Sequence, residues 1–160
     1  GAVDLLGDGH ALKTVQPEQI AEAIDDSVAV LMLTEVDYRT GRLHDMAALA
    51  AKAREAGAIT IWDLAHSAGA LPVHLVGVGA AFAVGGGYKY LNGGPGAPAF
   101  IYVRTELASR IDPALPGWMG HEAPFLCDHD YLPAGGVERM RVGTPSILSM
   151  AALDAASAWA

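Results

Sequence analysis

Trp62-Asp63-Leu64-Ala65-His66 and Gly85-Gly86-Gly87-Tyr88-Lys89-Tyr90-Leu91-Asn92 are the stretches on which the reading of this chain turns. Ahead of each stands an apolar run of strand length, Ala58-Ile59-Thr60-Ile61-Trp62 and Ala80-Ala81-Phe82-Ala83-Val84. Working outward, similar runs occur at Val28-Ala29-Val30-Leu31-Met32-Leu33 and Ala99-Phe100-Ile101-Tyr102-Val103. A continuous apolar run marks a strand covered on both faces, and residues 28–33 are expected to be one. Helical patterns lie between and around these runs. Pro17 through Asp26 carries Pro17 at the first helical position, with Ile20, Ala23 and Ile24 at helical spacing. Asp45 reads as the N-cap of a helix Met46–Ala56, and Gly57 as the residue just past its end. Thr144-Pro145 reads as an N-cap and N1 pair opening a last helix over 146–160. Strands alternating with helices predict an α/β fold, a mostly parallel sheet flanked by helices, with ligands outside the carboxyl ends of the strands. Asp63 and Lys89 both follow such strands, so the topology brings them to one edge.

The remaining segments are read as connections. Residues 1–16 offer a short apolar start and a turn at Gly7 to Gly9, and residues 34–42 are polar and close with Thr40-Gly41. Residues 111–143 have no clear period and contain Pro113, Pro116, Pro124 and Pro133, the pattern of a long functional loop.

Composition narrows the classes. The 160 residues are 52% hydrophobic and 18% charged, enough for one domain core and unlike a disordered chain. Every apolar run is broken by Gly, Pro or charge, so none reaches the length that spans a bilayer, and no membrane association is expected. A formal charge of −8 argues against nucleic acid, because phosphate backbones bind basic surfaces. A single cysteine, Cys127, excludes an internal disulfide framework; with no signal-peptide pattern at Gly1-Ala2-Val3-Asp4, it fits a reducing, cytoplasmic setting. The chain opens without a Met and stops inside the helical pattern Ala151–Ala160, so it reads as a fragment.

The chemistry-bearing residues leave paired readings. Lys89 is either a solvated loop lysine or the amine of a pyridoxal 5'-phosphate (PLP) enzyme, which forms a Schiff base with the cofactor aldehyde. The glycines before it allow close approach of a ligand, and its neighbourhood is otherwise apolar. Asp63 is either a helix N-cap or the carboxylate that keeps the cofactor's pyridine nitrogen protonated. His66, three residues on, stacks on a cofactor ring, orients the acid, or is a hydrogen-bonded structural histidine. Tyr88 is a phosphate donor or an aromatic plug. Thr34 binds a ligand or caps a turn. Gly93-Gly94-Pro95-Gly96 lacks the Lys-Ser/Thr pair of a phosphate-binding loop. His121, Cys127, Asp128, His129 and Asp130 match no zinc spacing and read better as a polar loop, so no metal is expected.

Larger blocks are more specific than any single residue. Val36-Asp37-Tyr38-Arg39-Thr40-Gly41, Trp62 through Gly69, Tyr88 through Gly96, Gly117-Trp118-Met119-Gly120-His121 and Arg141 through Leu148 together resemble kynureninases. These are fold-type I PLP enzymes of the aminotransferase class V branch, and the likeness covers most of residues 28–150. The Tyr-Lys-Tyr-Leu-Asn and Gly-Trp-x-Gly-His blocks carry it; the acid-x-x-His pattern is shared more widely. The resemblance implies Lys89 as the Schiff-base lysine, Asp63 as the partner of the pyridine nitrogen, and His66 and Tyr88 as cofactor contacts. It also implies Thr34, Trp118 and Thr144 as cofactor-site positions, the last two across a homodimer interface. The implied reaction is hydrolysis of L-kynurenine, or its 3-hydroxy form, to anthranilate or 3-hydroxyanthranilate and L-alanine.

The family's ring-stacking aromatic, its phosphate-holding hydroxyls and its substrate-carboxylate arginine have no counterpart here. Residues 1–160 are therefore expected to be the C-terminal part of the large PLP-binding domain, without the small domain and inactive alone. Two alternatives stand beside this reading. One is a sister PLP enzyme, a cysteine desulfurase or an aminotransferase, although Cys127 lacks a desulfurase context. The other is a non-catalytic PLP-fold module.

Overall fold

The computed structural model describes residues 9–127 and 129–158. The expected turn beginning at Gly7, Asp128 and the last two positions of the C-terminal helix lie outside the described residues. Strands β1 (Val30–Thr34), β2 (Ile59–Asp63), β3 (Phe82–Gly86) and β4 (Ala99–Val103) form one sheet in the order β1-β2-β3-β4. The first three are parallel, and β4 runs antiparallel to β3. A parallel return needs a crossover of a dozen or more residues, usually helical; the link at 87–98 contains no helix, so β4 turns back. The α/β, mostly parallel architecture is the one the sequence predicts. Its helices are α1 (Ile20–Ala23), α2 (Met46–Glu55), α3 (Leu75–Val78), α4 (Thr105–Ala108) and α5 (Ile147–Ser157). Among the described residues, no helix is long and apolar enough to cross a membrane.

The core forms where α2 lies on β2. The Asp45 carboxylate accepts from the Ala48 N–H at 2.9 Å, and Gly57 turns the chain out at φ +81°, so both expected helix ends are present. Met46, Leu49, Ala50 and Ala53 fall at i, i+3, i+4 and i+7 and are all buried. The two alanines let the helix come close to the fully buried Trp62 of β2, and Ile20, Ile24, Leu64, Ala80 and Ala83 complete the cluster.

Three expectations need correction. The helix predicted over Pro17–Asp26 is a 3-10 turn, Pro17–Gln19, followed by α1 alone. It stops because the Asp25 side chain takes the Ser27 N–H at 2.9 Å, a local bond that competes with helix continuation. Residues 28–33 are not covered on both faces. β1 is the edge of the sheet, with Leu31 and Leu33 on the core while Val30 and Met32 remain 50% and 67% exposed. The final helix starts at Ile147 with Ser146 as its N-cap residue, so neither Thr144 nor Pro145 occupies its expected cap position. Ser146 Oγ pairs with Ser149 Oγ at 2.8 Å across that first turn.

Residues 111–143 do form an excursion, built from 3-10 turns at Trp118–Gly120, Pro124–Leu126 and Gly136–Met140. A Cβ on Gly117 would collide with the Val142 carbonyl, and one on Gly120 would sit 2.6 Å from the Arg139 carbonyl oxygen. The Gly-Trp-x-Gly-His block is thus glycine-spaced because the backbone of 139–142 lies against it.

The loop after β1 is unusually well tied for an exposed segment. Val36 and Leu43 form an antiparallel bridge, Asp37 N–H donates to the Arg42 carbonyl and Gly41 N–H to the Asp37 carbonyl. The Asp37 carboxylate accepts from the Arg39 N–H at 3.0 Å and from the Thr40 hydroxyl at 2.7 Å. Arg42 reaches back to Glu18 at 2.6 Å. The Thr40 hydroxyl, then the Arg39 N–H, hold the Asp37 carboxyl below its ordinary 3.8.

Two outcomes follow from these caps. Asp45→Ala lowers stability by about 1 kcal/mol in denaturant unfolding, whereas Asp45→Asn keeps most of it. A folded-state pKa below the unfolded one means that the Asp37 contribution is present above 3.8 and is lost as pH falls through the lower folded value. Carboxyl-carbon NMR should therefore show Asp37 titrating below 3.8, with Thr40→Val moving the midpoint back up.

Candidate active site

Parallel pairing puts Thr34, Asp63 and Val84 in one row at the carboxyl end of the sheet. Strand alternation sends Trp62 into the core and Asp63 to the opposite face. Asp63 is partly buried; its Oδ1 accepts from the Ala65 N–H at 2.8 Å, and its Oδ2 has no hydrogen-bond partner among the described residues. The bond to Ala65 closes a local turn rather than capping a helix, since no helix follows before Leu75, and it still leaves one carboxylate oxygen for a ligand. Thr34 Oγ1 donates to the Val36 carbonyl at 2.8 Å and lies 3.4 Å from the Asp63 carbonyl. Its hydroxyl braces the strand ends, so in this arrangement it caps rather than reaches outward.

Lys89 lies three residues beyond β3 in a closed glycine-rich loop. Gly87 N–H donates to the Pro98 carbonyl, Asn92 N–H to the Lys89 carbonyl and Gly93 N–H to the Gly87 carbonyl, each at 2.9 Å. Asn92 takes the left-handed conformation at φ 60°, which asparagine tolerates better than most residues. Leu153 of α5 packs where side chains at Gly87 and Gly93 would otherwise sit. On the other side, Gly69 has φ +86°, and a Cβ there would stand 2.5 Å from the Tyr90 carbonyl oxygen. Only glycine permits both that conformation and that approach, so Gly69 brings the Asp63–His66 turn directly against the lysine loop.

Across this contact, Lys89 Nζ lies 2.7 Å from His66 Nε2. A bond between two nitrogens needs a lone pair on one of them. With the lysine donating, the imidazole proton sits on Nδ1. Lys89 Nζ also stands 5.3 Å from the centroid of Tyr88, whose ring is half-exposed and packs against Gly86. Asp63, His66, Tyr88 and Lys89 thus share one edge, with Thr34 behind them.

Trp118 and Thr144 are not joined to this group by any hydrogen bond or ring contact among the described residues. Trp118 packs edge-on against Phe125 and lines a cavity of about 310 Å³ with His121, Cys127 and Tyr131. Thr144 is exposed ahead of α5. His121 uses both ring nitrogens locally: Nδ1 accepts from the Ala123 N–H at 2.9 Å, and Nε2 lies 3.1 Å from the Asp130 carbonyl. Among the described residues, no group of His, Cys, Asp and Glu side chains could hold a metal ion.

Tyr38 is the residue that sequence reasoning missed. Its ring stacks on His66, with centroids 5.5 Å apart and planes at 27°. In sequence it is only an aromatic in a polar turn; in the structure it is 73% exposed, where burial gives no reason for it.

Comparison with known proteins places the chain in a family. A family model described as Aminotransferase class-V matches residues 8–160. The chain is 53% identical over 156 residues to the kynureninase of Deinococcus radiodurans, covering 98% of this chain and 38% of that protein. Against the Pseudomonas fluorescens kynureninase it is 48% identical over 155 residues, 96% of this chain and 37% of the other. The chain therefore spans well under half the length of these curated relatives. In structure it is similar to a cysteine desulfurase from Thermococcus onnurineus NA1, with a TM-score of 0.72 and 26% identity over 89% of this chain and 34% of that one. A cysteine desulfurase from Escherichia coli gives 0.73 at 24% identity, over 89% and 35%, a likeness of fold alone. The resemblance to kynureninases read from the sequence stands, as does the expected fold, and the chain belongs to the aminotransferase class-V family.

Proposed function

We propose that this chain is the C-terminal part of the large domain of a PLP-dependent kynureninase. The full protein hydrolyses L-kynurenine, or 3-hydroxy-L-kynurenine, to anthranilate, or 3-hydroxyanthranilate, and L-alanine, in tryptophan catabolism and NAD biosynthesis. The observation that carries the reading is the Lys89 amine held 2.7 Å from His66 Nε2 on the edge where Asp63 ends its strand. Sequence identity of 53% to a kynureninase supports that activity over that of the structurally similar cysteine desulfurases.

The donor set suits the cofactor. It offers an amine, a carboxylate oxygen with no hydrogen-bond partner among the described residues, an imidazole and a half-exposed phenol on one edge. When bound, PLP supplies an aldehyde carbon for the lysine and a ring that withdraws electrons from the substrate's α-carbon. Lys89 Nζ would hold the cofactor's aldehyde carbon, and the same amine, when free, would serve as the base for the substrate's α-proton. Asp63 Oδ2 would keep the proton on the ring nitrogen, through a charge-assisted bond that a partly buried strand end makes stronger than water would. His66 Nε2 orients Nζ, and the Tyr88 hydroxyl would donate to the phosphate. Thr34 steadies the Asp63 strand end from behind. Trp118 and Thr144 reach a cofactor site across a homodimer interface, where the partner supplies the other wall. The enzyme works in the cytoplasm on a small-molecule substrate.

The test uses full-length protein supplied with PLP. Borohydride reduction and peptide mapping should place a pyridoxyl adduct on Lys89, and kynurenine should yield anthranilate. Lys89→Ala should lose the adduct and at least about a thousandfold in kcat. An adduct without anthranilate moves the function to a sister PLP activity, and no adduct sinks the cofactor assignment.

A further inference from the structure

We infer that Tyr38 is a positioning residue that sets the His66 imidazole against the Lys89 amine. The inference rests on the reading of Lys89 as the cofactor lysine only for its effect on catalysis; the arrangement itself stands on geometry. A hydrogen bond donated by Nζ to Nε2 fixes one corner of the imidazole and leaves the ring free to swing about its attachment. Stacking at 5.5 Å and 27° supplies the missing restraint on the ring plane.

The loop carrying Tyr38 is built to deliver it there. A free tyrosine at 73% exposure would sample several rotamers, and stacking alone would not hold it. Here the Val36–Leu43 bridge and the Asp37 bonds to Arg39 and Thr40 close the turn on both sides of the ring. The Arg42–Glu18 pair anchors its outer side. At its root, Thr34 Oγ1 bonds the Val36 carbonyl and lies beside the Asp63 carbonyl. One short segment therefore starts at the backbone of the acid and ends on the ring that holds the amine. Distances among Asp63, His66 and Lys89 are set together, which is what a site with a fixed geometry needs.

Full-length protein stripped of cofactor gives the direct test, because Lys89 reactivity can be read without turnover. Reductive methylation with peptide mapping compares Lys89 with Lys13 and Lys52 as internal references. Tyr38→Leu should raise relative Lys89 labelling at least about threefold by loosening His66, while Tyr38→Phe, which keeps the ring, stays near wild type. His66→Ala should give a similar rise, and the Tyr38→Leu/His66→Ala double variant no further one, since Tyr38 acts through His66. In the PLP-loaded enzyme, Tyr38→Leu should lower kcat about tenfold with little change in KM, and Tyr38→Phe should restore it. Because Tyr38 is mostly exposed, its removal leaves no core cavity. Unchanged labelling in Tyr38→Leu, an additive double variant, or Tyr38→Phe failing like Tyr38→Leu would each overturn the inference. Borohydride mapping of the wild type decides the cofactor reading separately, whatever the labelling shows.

Discussion

Register between parallel strands is the constraint on which the rest depends. Pairing Thr34 with Asp63 and Asp63 with Val84 ends β1 and β2 in line and lets β3 run two residues further before its loop. A slip of one residue would turn Asp63 into the core and Trp62 out of it. Burial of Trp62 against Met46, Leu49, Ala50 and Ala53 is thus what points the carboxylate at the edge. Packing on one face of the sheet specifies chemistry on the other.

The lysine is held by a different principle. It sits on a loop, closed by backbone bonds across Gly87, Asn92 and Gly93 and wedged between Leu153 of α5 and Gly69 of the acid's own turn. The wedge explains glycine at both contact faces: a methyl at Gly69 would strike the Tyr90 carbonyl, and one at Gly87 would strike Leu153 and the Pro98 carbonyl. The glycine-rich loop, read from sequence as one that lets a ligand approach closely, is close-packed against its protein neighbours. The glycines admit neighbours as much as they admit a ligand.

Much of this was legible in the sequence, and the failures share a cause. The strand stopping at Asp63, the existence of a strand around 80–84, the Asp45 cap and the exit at Gly57 are local signals that were read correctly, although that third strand is Phe82–Gly86 and runs on into the triple glycine. The helix stop at Ile24 depended on one aspartate side chain preferring the Ser27 N–H, a choice that apolar spacing cannot register. The bare face of β1 depended on which strands stand beside it, which is a property of the sheet. Tyr38 was hidden for a similar reason. Nothing in residues 36–41 says that a turn after β1 lies against a histidine after β2, because that contact exists only once Thr34 and Asp63 are paired.

A division of labour between acid and amine follows from where each is mounted. The Asp63 carboxylate stands at the end of a central strand, bonded on both sides to neighbours and backed by a buried tryptophan, so its position costs no ordering when a ligand arrives. The Lys89 amine ends a four-carbon stem on a loop, restrained by one bond to His66 and by the Tyr88 ring. In the proposed roles, an acid that would hold a ring nitrogen is served by rigidity, whereas an amine that would bind the cofactor and also act as a base is served by reach. His66 lies between these demands: it belongs to the turn of the acid yet touches the amine. The stacked Tyr38 extends the rigidity of the sheet to that imidazole, and stops short of the lysine itself.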